Sequence, residues 1–248
     1  MGVVETAGIV AVAFLLAGFV KGVIGMGLPT VSLALLALTL GLKEAMALML
    51  IPAIATNLWQ GLAGGNFKNL MKRIWPLLLA ACPAIWVGAG VLARASALHL
   101  AAVLGAMIFI YAALALARID VPAPGRHERW MSPLVGGATG ILTGLTGSFV
   151  MPAVPYLQAL GLSRHELVQA MGISFSVSML ALALALAGHS LLPADLGLMS
   201  AGALVPAAAG MMLGIQVRKR LSEDRFRKIF FVALALLGAW LALRPWVL

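Results

Sequence analysis

Two glycine-rich stretches, GFVKGVIGMGLP at 18–29 and GILTGLTGSFVMP at 140–152, hold the residues of this chain best suited to chemistry. In each, a glycine run precedes a proline. That pattern ends one helix and opens another, because proline suits the first helical turn and donates no amide. Helices opening near Leu28–Pro29 and Ser148–Pro152 would turn free N–H groups and a partial positive charge toward whatever lies before them. Such helix starts favour anions. Gly25, Gly27, Pro29, Gly147 and Pro152 lie at these breaks. Gly22 and Gly144 join the candidate set, although with Gly18 and Gly140 they keep the four-residue spacing that close helix packing also uses.

Polar side chains cluster around the same stretches. Lys21 offers a countercharge for an anion, or a tail that snorkels to the nearby surface. Its counterpart in the second stretch is Thr143, a neutral hydrogen bonder. Thr30, Thr146 and Ser148 can donate at the breaks, where helix capping is an equally ordinary role. Thr56, Asn57, Ser174, Ser176 and Ser178 place polar groups at corresponding depths of two further segments. They serve either interhelical hydrogen bonding or the lining of a pathway.

Other chemistries find less support. Glu44 and Glu166 invite a proton-carrying role, yet SRHE at 163–166 reads as a capping box and Glu44 falls in a first helical turn. His99, His165 and His189 are scattered, with no carboxylate or cysteine at ligand spacing, so neither a metal nor a cofactor is expected. GLTGSFV around Ser148 is not a nucleophile elbow, and no phosphate-binding loop is present. The chain does not read as an enzyme. An intramembrane hydrolase and a scaffold that moves nothing remain as alternatives.

These residues sit in a chain of 248 residues, 62% hydrophobic and 10% charged, with a mean hydropathy of +1.06. A soluble domain carries about 25% charged residues, so too few polar side chains are available here to cover a water-facing surface. Composition excludes soluble enzymes, disordered regulators and disulfide scaffolds, the last because Cys82 is the sole cysteine. The net charge of +9 does not point to nucleic acid, because the basic residues fall between apolar stretches rather than on one face. The surrounding partner is a lipid bilayer. Self-association stays open.

The apolar segments run 4–25, 28–42, 45–63, 74–93, 97–117, 133–147, 148–162, 165–188, 196–216 and 227–244. A crossing needs about 20 residues, so the second, sixth and seventh are short. They cross fully or turn back in pairs. Ten crossings put the Lys and Arg residues of 68–73, 118–129, 164 and 218–228 on one side, thirteen in all. Lys43, Arg94 and Arg244 fall on the other. The excess marks the cytoplasmic side and places both termini outside.

The halves match at an offset near 122 residues. Gly18, Gly22 and Gly25 pair with Gly140, Gly144 and Gly147, Glu44 with Glu166, Ile51 with Ile173, and Gly88 with Gly210. Pro29 and Pro152 pair at 123, and the GL pairs at Gly41 and Gly161 at 120. The expected fold is an all-α polytopic membrane protein of about ten transmembrane segments, some short or broken. Residues 1–117 form the first five-segment repeat, 118–132 a cytoplasmic linker and 133–248 the second repeat. Five is odd, so the second repeat enters the membrane inverted, and the two breaks would approach the midplane from opposite faces to share one ligand. Inverted repeats with Gly/Pro-interrupted segments are a transporter signature.

GFVKGVIGMGLP, GILTGLTGSFVMP, the GL-containing stretches after each, and the tail GIQVRKRLSEDRFRKIFFVALALLG at 214–238 together resemble the sulfite exporter TauE/SafE family. The resemblance spans essentially the whole chain. It implies transport of sulfite, sulfonates or related organosulfur anions across the bacterial inner membrane. Import or export, the coupling ion and the particular anion stay open. The charge asymmetry carries its own test. A reporter active only in the cytoplasm should be bright when inserted within 218–228 and dark when fused after Leu248, and a bright C-terminal fusion would overturn the ten-segment topology.

Overall fold

The computed structural model describes residues 2–119, 121–218, 220 and 222–247. Among them every regular element is helical. The order is α1 (Val3–Ile24), α2 (Leu28–Thr39), α3 (Leu42–Leu62), α4 (Phe67–Arg94), α5 (Ala97–Ala117), α6 (Glu128–Thr146), α7 (Ala153–Ala159), α8 (Arg164–Gly188), α9 (Ala194–Gly202), α10 (Leu204–Arg218) and α11 (Glu223–Val247). A single 3-10 turn, Gly125–His127, precedes α6. Seven helical segments among the described residues are long and apolar enough to cross a membrane, α9 and α10 counting together as Ala194–Arg218. The protein is an all-helical, multi-pass membrane protein.

The other three segments differ in kind. α2 has 12 residues and α7 only seven, so neither spans a bilayer as a straight helix. α6 has 19 residues, but its glycines and threonines keep it outside the strongly apolar set. Where the sequence suggests one helix over 196–216, two occur, separated at Ala203. Pro206 lies just beyond and has no N–H for the carbonyl of Gly202, four residues back. The ladder resumes with Ala207 N donating to Ala203 O at 3.1 Å.

The chain forms two compact units, each drawing helices from both sequence halves. The first holds Met1–Pro52, Ser96–Ile119 and Leu192–Leu248. In it α1 lies along α10, with Gly22 against Gly214: a Cβ on Gly22 would come within 2.9 Å of the Gly214 Cα. α5 packs on α11 in the same way, a Cβ on Gly105 falling 2.8 Å from the carbonyl carbon of Leu241. Pro52 interrupts α3 and leaves the Leu48 carbonyl without its helical donor. The Ser200 hydroxyl donates to that carbonyl at 2.7 Å and accepts from Ile51 N at 3.3 Å. One buried serine of α9 therefore repairs the break in α3.

The second unit holds Ala53–Ala95 and Asp120–Leu191. Here α4 lies along α6, and a Cβ on Gly144 would come 2.7 Å from the Gly88 Cα. The end of α3 approaches α8 backbone to backbone, a Cβ on Gly61 reaching 3.0 Å from Ile173 N. Gln60 donates to Val168 O at 2.7 Å and Gln169 to Gly61 O at 2.9 Å.

The contacts of α4 on α6 and of α10 on α1 follow one pattern, but not at the offset read from sequence. Gly88 faces Gly144, and the residue facing Gly22, the counterpart of Gly144, is Gly214 rather than Gly210. The slip is four residues, and α8 at 25 residues exceeds α3 at 21 by the same amount, about one helical turn. This packing generates a stability test. Gly144→Ala should lower the thermal stability of the detergent-solubilised protein by overpacking, on the order of 1–3 kcal/mol. Gly137→Ala, on the same helix with nothing within 4 Å of its Cβ, should be neutral or mildly stabilising. Equal effects would show that the close approach does not hold in solution.

Candidate functional site

The first break lies in the first unit. Gly25 ends α1 in the left-handed region at φ 89°, and its N–H donates to Lys21 O at 2.8 Å. Gly27, at φ 103°, then opens α2 with Pro29 in the first turn. Both angles suit glycine because a side chain would clash with the backbone there. A Cβ on Gly25 would meet nothing within 4 Å, so space adjoins the break. Lys21 is only 5% exposed and Thr30 only 6%. The lysine is held inside the protein rather than spread over its surface. Ser32 returns its hydroxyl to Leu28 O at 2.7 Å.

Tyr111 of α5 completes this region, and no local pattern in the sequence announces it. Its hydroxyl donates to the Met26 Sδ at 3.5 Å, across 85 residues of sequence. Its ring meets Phe231 edge-on at 5.6 Å, and the Arg227 guanidinium lies 5.9 Å above the Phe231 ring.

The second break lies in the second unit. Gly147, at φ 79°, ends α6 and donates to Thr143 O at 2.7 Å. The Thr143 hydroxyl donates to Thr139 O at 2.7 Å and also reaches Ser148 O at 3.2 Å. Thr146 Oγ1 donates to Leu142 O at 2.6 Å and accepts from Ser148 N at 3.3 Å. Pro152 stands just before α7, which starts at Ala153. The expected helix start is thus displaced beyond Pro152, and with seven residues it supplies a far weaker dipole than α2.

The second break rests against α8. Phe149 and Phe175 meet edge-on with centroids 5.7 Å apart, which sets Ser148 and Ser174 beside one contact. Ser178 lies one turn beyond Ser174 on the same face. Ser148, Ser174 and Ser178 are at most 3% exposed, and their hydroxyls have no hydrogen-bond partner. Ser176 between them is satisfied by Gly172 O at 2.7 Å. An unpaired buried hydroxyl costs about 1–3 kcal/mol, so three together call for an explanation. Asn57 of α3 is buried in the same unit, and Thr56 Oγ1 reaches Ala53 O at 3.5 Å.

Other candidates are occupied structurally. Gly22 and Gly144 face helix backbones. Glu166 forms the capping box, accepting from Ser163 N at 3.0 Å and Oγ at 2.8 Å, and takes a further bond from Asn66 Nδ2 at 2.8 Å. Glu44 lies in the first turn of α3, with its carboxylate over Gly41. Arg73 grips Glu128 through two bonds of 2.7 and 2.9 Å and donates to Leu160 O at 2.9 Å. That guanidinium holds the Glu128 carboxyl below the usual carboxylate range. The clamp ties the end of α7 to α4 and α6. No group of three or more His, Cys, Asp or Glu among the described residues could hold a metal ion.

No protein of curated function and no solved structure gives a significant match to this chain. The family model described as sulfite exporter TauE/SafE matches residues 10–241, across both breaks, both units and all seven long helical segments. The chain belongs to the sulfite exporter TauE/SafE family of membrane transporters.

Proposed function

We propose that the protein is a bacterial inner-membrane secondary transporter that moves a small anion, sulfite or a short organosulfonate, across the bilayer. The observation that carries this reading is the recurrence of one device, a helix ended by a left-handed glycine and followed by a short helix. Gly25 and Gly147 close α1 and α6, and Gly41 and Gly161, at φ 106° and 67°, follow α2 and α7. Backbone interrupted at membrane depth is tolerated where it lines a cavity, and transporters use such breaks to hold their cargo. Ten segments in two inverted repeats fit the recurrence and the paired glycine contacts. The charge asymmetry then sets both termini on the periplasmic side.

Each break contributes donors of its own. The first offers Lys21, Thr30 and the backbone around Gly25, Gly27 and Pro29. The second offers Thr143, Thr146, Ser148 and the backbone of Gly147, with Thr56, Asn57, Ser174 and Ser178 nearby. Oxyanions present several acceptor oxygens, and oriented amides and hydroxyls act strongly on them where water is excluded. Apolar walls such as VSLALLALTL at 31–40 make a strongly hydrated divalent ion less welcome than a monovalent or partly organic one.

Competition flux in proteoliposomes decides the matter. Sulfite and sulfoacetate should compete with each other and outcompete sulfate. A preference for a zwitterionic amino acid or a cation would refute the anion reading, and absence of flux would favour a scaffold. Lys21→Gln should lower flux roughly tenfold or more, the worth of one charge-assisted hydrogen bond, with expression near normal. Wild-type flux in that variant would reduce Lys21 to a packing residue. Gly25→Val should abolish flux, since a branched residue resists a φ of 89°.

A further inference from the structure

The buried hydroxyls of this protein fall into satisfied and unsatisfied ones, side by side in the second unit. Ser32, Thr139, Thr143, Thr146 and Ser176 all return a hydrogen bond to the carbonyl four residues back, at 2.6–2.7 Å. Ser174 and Ser178 share a helix with Ser176 and have the same option, yet their hydroxyls and that of Ser148 are without partners. The Phe149–Phe175 contact brings the second break to the turn of α8 that carries Ser174. The three unpaired hydroxyls thus belong to the second break and to the stretch of α8 that adjoins it, all in the second unit.

That region is also free of formal charge. Residues 53–67, 74–93, 130–163 and 167–188 contain no Asp, Glu, Lys, Arg or His. These stretches make up nearly all of α3's second part, α4, α6, α7 and α8, the helices of this unit. The charged and titratable groups of the unit, among them Arg73, Glu128, Arg94, Glu166 and His189, whose buried Nε2 also lacks a partner, lie at or near helix ends.

We propose that Ser148, Ser174 and Ser178 form a charge-free oxyanion site that selects the singly charged, protonated form of a sulfur oxyacid, hydrogensulfite, over the sulfite or sulfate dianion. The proposal rests on the transport reading above, concerns the second break alone, leaves Lys21 to the first, and names the ionic form this site accepts. A serine hydroxyl is both donor and acceptor, so a set of them can donate to S–O oxygens and accept from an S–OH group. A dianion has no proton to give, and its burial without a countercharge costs far more than that of a monoanion.

Calorimetric titration of the purified protein in detergent tests this across the second ionisation of sulfite. The apparent Kd for total sulfite should rise about tenfold per pH unit above that ionisation, following the loss of hydrogensulfite. Methanesulfonate, singly charged throughout, should bind with a flat profile; parallel changes for both ligands would mean that the protein titrates, and would overturn the proposal. Sulfite affinity that is constant or rises with pH, or sulfate bound as tightly as hydrogensulfite, would overturn it too. Ser174→Ala and Ser178→Ala should each weaken hydrogensulfite about tenfold while keeping or raising the Tm of the ligand-free protein, because they remove an unpaired buried hydroxyl. Ser176→Ala should leave affinity unchanged, and a lowered Tm without loss of affinity in the other two would make them structural. If sulfite binds and crosses the membrane with none of this pH dependence, only the charge-free site falls. If no sulfur oxyanion binds or crosses at any pH, the transport reading falls with it.

Discussion

A polypeptide inside a bilayer has no water to satisfy its amides and carbonyls, so every interruption of a helix must be repaired by protein or used by a ligand. This chain interrupts its helices repeatedly, and the repairs are specific. Gly25 and Gly147 return their N–H groups to Lys21 O and Thr143 O. Ser200 takes over the carbonyl that Pro52 strands on Leu48. Thr143 reaches past the end of its own helix to Ser148 O. What these repairs leave unsatisfied is correspondingly informative, and it is concentrated in hydroxyls of the second unit.

Close helix packing makes such precise repair feasible. Lipid tails are as apolar as leucine, so helices associate through van der Waals contact and hydrogen bonds rather than through escape from water. Glycine removes the side chain that would keep two backbones apart. Gly22 on Gly214, Gly144 on Gly88, and Gly105 beside Gly238 bring backbones within reach of one another. A frame of this kind has little slack, and the short helices α2 and α7 are set between its long members in the chain. Groups at their ends gain fixed positions from neighbours that cannot easily slide.

Charge is managed in a complementary way. The ion pair of Arg73 with Glu128 and the Glu166 capping box sit at helix ends, where they fasten α4 to α6 and the α3–α4 turn to α8. Lys21 is the exception, a buried lysine within the first span. If the proposed site holds, this division has a use: charged latches would hold the ends, while an oxyanion would meet amides and hydroxyls whose smaller fields let it leave again.

Much of this was written locally in the chain. Composition dictates the membrane class, and the glycines at 25, 27 and 147 mark the breaks because the left-handed conformation is a property of single residues. SRHE specifies its capping box within four residues. The family was legible for the same reason, since its motifs are runs of glycine and proline. Register and partnership were not. Which glycine faces Gly22 depends on one extra turn in α8, so the residue in contact is Gly214 and not Gly210. Residue type does not tell whether a hydroxyl of α8 is satisfied, as at Ser176, or left open, as at Ser174 and Ser178, since all three can return a bond to the carbonyl four residues back. Tyr111 meets Met26 only because α5 and the first break are packed together. Conformational preference acts over a few residues, but the choice of partner is made by helices far apart in sequence, and only their packing decides it.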